Sequence, residues 1–388
     1  MRIESSSGFD ISVFEAVLEC GQPEARLSLA RQLVALLADE QTAEVEREQI
    51  KPVLIKIASD PETSIRSFLA GALTPLPALD PDLIFALVAD EDSIAVPFLT
   101  ETPALSGWHM LAILRVGDDV RQQAIARRAD LTADARNYIL RSGGVAAMTA
   151  LLSNPVMTFS AAELRTVYTR LGQSGDVVER LLVQPQLPPD VRILHAKKTA
   201  VRMRQLMAER GWLAANDAAD LVVDTEDSAI LKIISEANAA DQQAAVQFLS
   251  VNNMLTPSLI VRAACMGEIG CLSAFLSHLT GQGAERIAGF IVGRGGSGIR
   301  SLLNRSGLPT ACHVLIAAAA DAALEFRNLG ITADADAFGR RLLEMLMLHF
   351  GAVPMQDQAK QIEFVCRLAD PKVRKIARQL KIDMLRAA

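Results

Sequence analysis

The chain has 388 residues, half of them apolar but only 4% aromatic, a balance that favours close-packed helices over sandwiches built on Val, Ile, Tyr, Phe and Trp. Its formal charge of −6 argues against a chain whose main business is holding a phosphate backbone, because that affinity comes from Lys and Arg displacing counterions. Five scattered cysteines, an N-terminus without a signal-peptide pattern and the lack of any run of about 18 apolar residues lead us to expect a soluble cytoplasmic protein with no membrane span.

In chain order, the first 50 residues carry ten acids against four arginines. The stretch "SDPETSIRSFLAGAL" (59–73) follows, in which Ile65, Phe68, Leu69, Ala72 and Leu73 fall on one helical face. Asp60 can cap the first free N–H groups and Pro61 is tolerated in a first turn, so a helix is predicted to begin there. Asp80-Pro81 and Asp370-Pro371 repeat the device. An apolar residue followed by Arg early in a helix recurs at Ile65-Arg66, Val120-Arg121, Val191-Arg192, Val261-Arg262 and Val373-Arg374. "LTADAR" at 131 and "LPPDVR" at 187 share Leu-x-x-Asp-x-Arg, a spacing that fits two two-helix units, and "LTPSLIVRAA" begins a relative at Leu255. Amphipathic helices repeating across short turns predict an all-α fold, an α-solenoid in which stacked pairs bury what one pair cannot.

Further along, Ser160-Ala-Ala-Glu163 reads as a capping box. The helix "VRILHAKKTAVRMRQLMAER" (191–210) carries Arg192, Lys197, Lys198, Arg202, Arg204 and Arg210 against Glu209. It is either a solvated ridge or a surface for nucleic acid or an acidic protein, though aromatic residues for base stacking are missing. "GRGGSG" spells G-x-G-x-x-G through Gly293, Gly295 and Gly298, but no βαβ alternation surrounds it, and Asp321, the acid at a suitable distance, lies in an Ala-rich helical run. The segment is read either as an interhelical turn with glycines at positive φ, or as a helix N-terminus that, with Arg286, Arg294, Ser297, Arg300 and Arg305, holds an anion or a phosphorylated partner. Lys198 and Arg202 complete the candidate binding residues. Cys265 and Cys271 are too far apart in sequence for a zinc pair and Cys312-His313 too close, and no catalytic residue, metal or cofactor is expected. The stretch 370–388 carries six cations against two acids, so the oppositely charged ends are read either as solvated helix faces or as steering self-association or a partner. Soft borders give helical repeats over 10–145, continuing repeats over 146–328 and a helical extension over 332–388.

"EDSIAVPFLTETPAL", "IARRADLT", "LLSNP" with "FSAAELRTVY", and above all "LTPSLIVRAACMGEIGCLSAFLSHLTG" followed by "GIRSLLNRSGLP" resemble an uncharacterised alphaproteobacterial family. That family carries a conserved domain of unknown function with HEAT-like helices, and the likeness spans roughly residues 40 to 312. It implies a cytoplasmic helical-repeat protein and no activity. It also implies that the early arginines pair with turn carboxylates of their own or adjacent repeats. The functional expectation is a non-catalytic scaffold or adaptor with a protein partner. The alternative is binding of nucleic acid or a phosphorylated ligand through arginine clusters that face one groove.

Overall fold

The computed structural model describes residues 11–39, 41–211, 215–330, 335–349 and 362, and among them every regular element is a helix. The all-α expectation therefore holds. Asp370-Pro371, Val373-Arg374 and the basic stretch 370–388 lie outside the described residues. The chain separates into two compact units, Met1–Leu187 and Pro188–Ala388.

In the first unit the helices are short, because turn residues interrupt the chain every 8 to 16 residues: α1 (Ile11–Cys20), α2 (Pro23–Ala38), α3 (Glu44–Ile57), α4 (Thr63–Leu73), α5 (Pro81–Val88) and α6 (Asp92–Glu101). They are followed by α7 (Gly107–Val116), α8 (Asp119–Ala126), α9 (Ala133–Ser142), α10 (Val145–Ser153), α11 (Ala161–Leu171) and α12 (Gly175–Leu182). Helices this short are marginal alone, so their order comes from packing. The packing forms two rows. Each of α2, α4, α6, α8, α10 and α12 lies against the next in that series, while α1, α3 and α5, then α7, α9 and α11, line up beside them. In α4 the buried stripe is Ile65, Leu69, Ala70 and Leu73, with Phe68 and Ala72 half-buried at its edges. The border expected at 145/146 falls inside this unit, where α10 packs on both α8 and α12.

The two local start signals behave differently. Asp80 caps α5 as expected, its carboxylate accepting from the Asp82 amide at 2.9 Å. Asp60 does not cap a helix at Pro61; α4 starts at Thr63, and Glu62 is its N-cap. The buried Asp60 carboxylate instead accepts from the Glu62 amide at 2.9 Å and from Arg26 Nε and Nη2 at 2.7 and 3.1 Å. A carboxylate shut away from water needs a charged donor, and α2 supplies one. The capping box at α11 forms in full: Glu163 accepts from the Ser160 amide at 2.8 Å, and the Glu163 amide donates to Ser160 Oγ at 3.3 Å.

The second unit uses longer helices: α13 (Pro189–Glu209), α14 (Ala215–Ser235), α15 (Ala239–Val251), α16 (Pro257–Cys265), α17 (Ile269–Thr280), α18 (Ala284–Arg305), α19 (Thr310–Asn328) and α20 (Ala335–His349). The alternating contacts persist through α13, α15 and α17 and through α14 and α16. They then give way to a long α18–α19 pair, with α20 laid on α19. Ala317 to Ala320 and Ala322 are buried, and their short side chains let α16, α18 and α20 close in on α19 around Ile287, Ile291, Ile299, Leu342 and Leu346.

Candidate functional site

The glycine motif is neither an interhelical turn nor an open helix start. It lies inside α18, where Gly295 alone leaves helical geometry at φ 57° and ψ −148° and splits the helix into two halves. A break of this kind strands an amide on one side and a carbonyl on the other. Both are matched by α19: the Gly296 amide donates to Asp321 Oδ1 at 2.8 Å, and Arg327 Nη1 donates to the Val292 carbonyl at 3.0 Å. The second oxygen of Asp321 faces His349 Nε2 of α20 at 2.8 Å. The place an anion would take at the Gly296 amide is thus occupied by a carboxylate of the chain itself. Glycine is required here, because a Cβ on Gly295 would sit 2.3 Å from Asp321 Oδ1 and one on Gly296 2.8 Å from the Ala317 carbonyl.

Around this break the candidate side chains are exposed but do not converge. The Arg286 guanidinium carbon lies 5.5 Å from the Phe290 ring centroid, and Ser297 Oγ donates to the Arg294 carbonyl at 2.8 Å. Arg300 and Arg305, five residues apart on the second half-helix, point about 140° away from each other. Lys198 and Arg202 stand on α13, which packs on α14 and α15, whereas α18 packs on α17 and α19.

The basic helix α13 is itself divided. Burial pushes the Glu226 carboxyl of α14 above its usual range, with Asp227 adding to the rise, while Lys197 and Arg204 pull it down, so two of the helix's cations act on α14. At 100° per residue, Thr199, Arg202, Met203, Leu206 and Arg210 fall in a sector about 100° wide on the other side. All five are exposed. Past Ile193 no described residue of α13 is buried, and the first buried residue described on α14 is Ile230. The described outer part of α13 therefore lies beyond the core, packed on α14.

Several arginines serve the fold. Arg66 Nε donates to Asp90 at 2.9 Å, and Arg121 reaches the Val88 carbonyl at 2.7 Å as well as Asp92 and Asp118. Arg262, 2% exposed, pairs with Asp227 at 3.2 Å. These three of the early arginines meet carboxylates. Arg192 is half-buried in the first turn of α13. Three further arginines do similar work: Arg26 on Asp60, Arg128 on the Leu99 and Thr102 carbonyls and Asp130, and Arg170 on the Leu140 and Gly143 carbonyls. Arg26 follows Ala25 in the first turn of α2, Arg128 lies just past the end of α8 and Arg170 is in the last turn of α11, positions too common to select them.

Other features define surfaces more than chemistry. A groove of about 490 Å³ runs between α4 and α6, lined by Ser67, Gly71, Thr74, Ser93, Pro97 and Glu101 among others. Cys265 and Cys271 are buried, and burial pushes both thiols up to about 12. Among the described residues no group of three or more His, Cys, Asp or Glu side chains could hold a metal ion, and no helix is long and apolar enough to cross a membrane.

Comparison with known sequences finds one family model, DUF2336, described as an uncharacterised protein conserved in bacteria, which matches residues 94–355. No curated protein and no solved structure matches the chain.

Proposed function

The chain belongs to the DUF2336 family of bacterial proteins, and from that premise we propose that it is a non-catalytic, cytoplasmic scaffold or adaptor built as a HEAT-like α-solenoid. The observation that carries this reading is the row α2, α4, α6, α8, α10 and α12, each helix lying on the next. Stacking of this kind gives a repeat protein an extended surface to offer a partner. Arginines that bridge one helix pair to the next hold the row in register, as Arg26 does to Asp60 and Arg66 to Asp90. The groove between α4 and α6 supplies a recess in the row for a partner's side chains.

The test is capture of the tagged chain from bacterial lysate, with and without nuclease and at low and high salt. Gly71→Trp serves as the blocked variant, because a Cβ at Gly71 meets nothing within 4 Å and a large side chain there fills the groove without straining α4. A discrete protein that survives nuclease and salt with wild type and is lost with Gly71→Trp supports the adaptor. Recovery that vanishes with nuclease or moderate salt overturns it in favour of nucleic acid held by exposed arginines.

A further inference from the structure

We propose that the α13–α14 hairpin is a self-association arm, which pairs with the same hairpin of a second copy of this chain. Three observations carry it. The outer part of α13 stands clear of the core, unburied past Ile193, leaving roughly 24 Å of helix with α14 as its main support. Apolar side chains stay in water on both helices: Met203 and Leu206 on the outward sector of α13 are 44% and 42% exposed, and Val223 of α14 is 44% exposed. The two helices also carry opposite charge. α13 has five cations against two acids, and α14 has five acids against one lysine.

The charge selects the occupant. Within one copy, Lys197 and Arg204 of α13 pull on the Glu226 carboxyl of α14, while Arg202 and Arg210 lie on the outward sector beside Met203 and Leu206. The surface that fits this sector is a helix of matching length, acidic, with an exposed apolar residue. The α14 of a second copy has all three properties. Two arms laid together make a four-helix bundle in which each α13 is flanked by two α14 helices and like charges sit on the diagonals. Two helices side by side over this length present on the order of 480 Å² per copy, near 1,000 Å² in total, at the small end of specific interfaces. The dimer is therefore expected to form in the micromolar range and to weaken with salt.

Sedimentation velocity of the full chain over about 1 to 200 μM tests the arm, with helicity checked by circular dichroism. Wild type should pass from monomer to dimer across this range. Met203→Glu with Leu206→Glu, and separately Arg202→Glu with Arg210→Glu, should each weaken association at least tenfold at unchanged helicity. Leu182→Glu, an exposed position in the other unit, should leave it unchanged. A wild type that stays monomeric at 200 μM overturns the proposal. So does a dimer untouched by both arm variants, which would place the contact on another surface. The assay uses no other protein, so its outcome is independent of whether the groove between α4 and α6 binds a partner.

Discussion

Replacing Asp321 by Ala isolates what holds the break in α18. The substitution leaves the buried Gly296 amide without its 2.8 Å acceptor, which costs about 1–3 kcal/mol for an unsatisfied donor. It also removes a negative charge from the start of the second half-helix, worth roughly 0.3–1 kcal/mol. Together these come to about 1.3–4 kcal/mol, or roughly 10- to 900-fold in local opening. Asp321→Asn keeps an oxygen that can accept from Gly296 and loses only the charge, so it should cost under about 1 kcal/mol. His349→Ala removes the 2.8 Å contact to the other Asp321 oxygen and leaves the cap in place. Hydrogen exchange of the full chain, read by mass spectrometry on a peptide covering 296–305, should accelerate strongly for Asp321→Ala. It should accelerate by less than about fivefold for the Asn variant, and least for His349→Ala. Equal effects of Ala and Asn, or an Ala variant within twofold of wild type, would refute the reasoning that the carboxylate oxygen substitutes for the missing helical partner.

Arg128 is 4% exposed and divides its donors between the Leu99 and Thr102 carbonyls, at 2.6 and 2.8 Å, and Asp130. A lysine cannot reproduce that fork, so Arg128→Lys should cost about 2–4 kcal/mol in urea unfolding; a loss below 1 kcal/mol would contradict the assignment. The Glu163 carboxyl is pulled from 4.5 to about 2, chiefly by its hydrogen bond from Arg136 and against the upward push of burial. A depressed folded-state value means the stabilisation is present above about pH 4.5 and is lost as pH falls towards 2. Glu163→Gln should therefore be less stable than wild type by about 1–2 kcal/mol at pH 7, after allowance for solvent screening, and the gap should close on acidification. A gap that is constant from pH 7 to 3 would show that the charge is not its source. With thiols raised to about 12 by burial, Cys265 and Cys271 should resist iodoacetamide at pH 8 until the chain is unfolded, as peptide mapping can establish; rapid labelling of the native chain would contradict their burial.

What could be read in the sequence was what depends on neighbours three or four residues away. The Ser160–Glu163 box and the Asp80 cap form because each carboxylate or hydroxyl closes on an amide within its own turn. Asp60 looks the same in sequence as Asp80, yet its carboxylate is taken by Arg26, 34 residues earlier, and the helix starts two residues later than the Asp-Pro signal indicates. The glycine motif fails as a local signal for a similar reason. Its meaning depends on Asp321 and Arg327, which lie in an alanine-rich helix that carries no mark of capping another. The basic run on α13 was legible as charge, but which cations remain outward depends on Glu226, supplied by the next helix.

Several arginines of the first unit are spent on the ends of its helices. Arg121 donates to the carbonyls of Val88 and Asp90 at the end of α5, Arg128 to Leu99 and Thr102 at the end of α6, and Arg170 to Leu140 and Gly143 at the end of α9. Those are the last carbonyls of helices, which lack intrahelical partners, and a guanidinium from a neighbouring part of the chain caps two of them at once. Each such arginine fixes the register between helix pairs and is withdrawn from solvent by doing so. A short helix that ends without a left-handed glycine gains from an external donor, and a helix that receives one depends on the neighbour that supplies it. The cations left on the surface have no such duty: on the outward sector of α13 they sit beside exposed Met203 and Leu206, and along α18 they spread around the helix. Of the two, only α13 combines free charge with unburied apolar surface, and binding energy requires both.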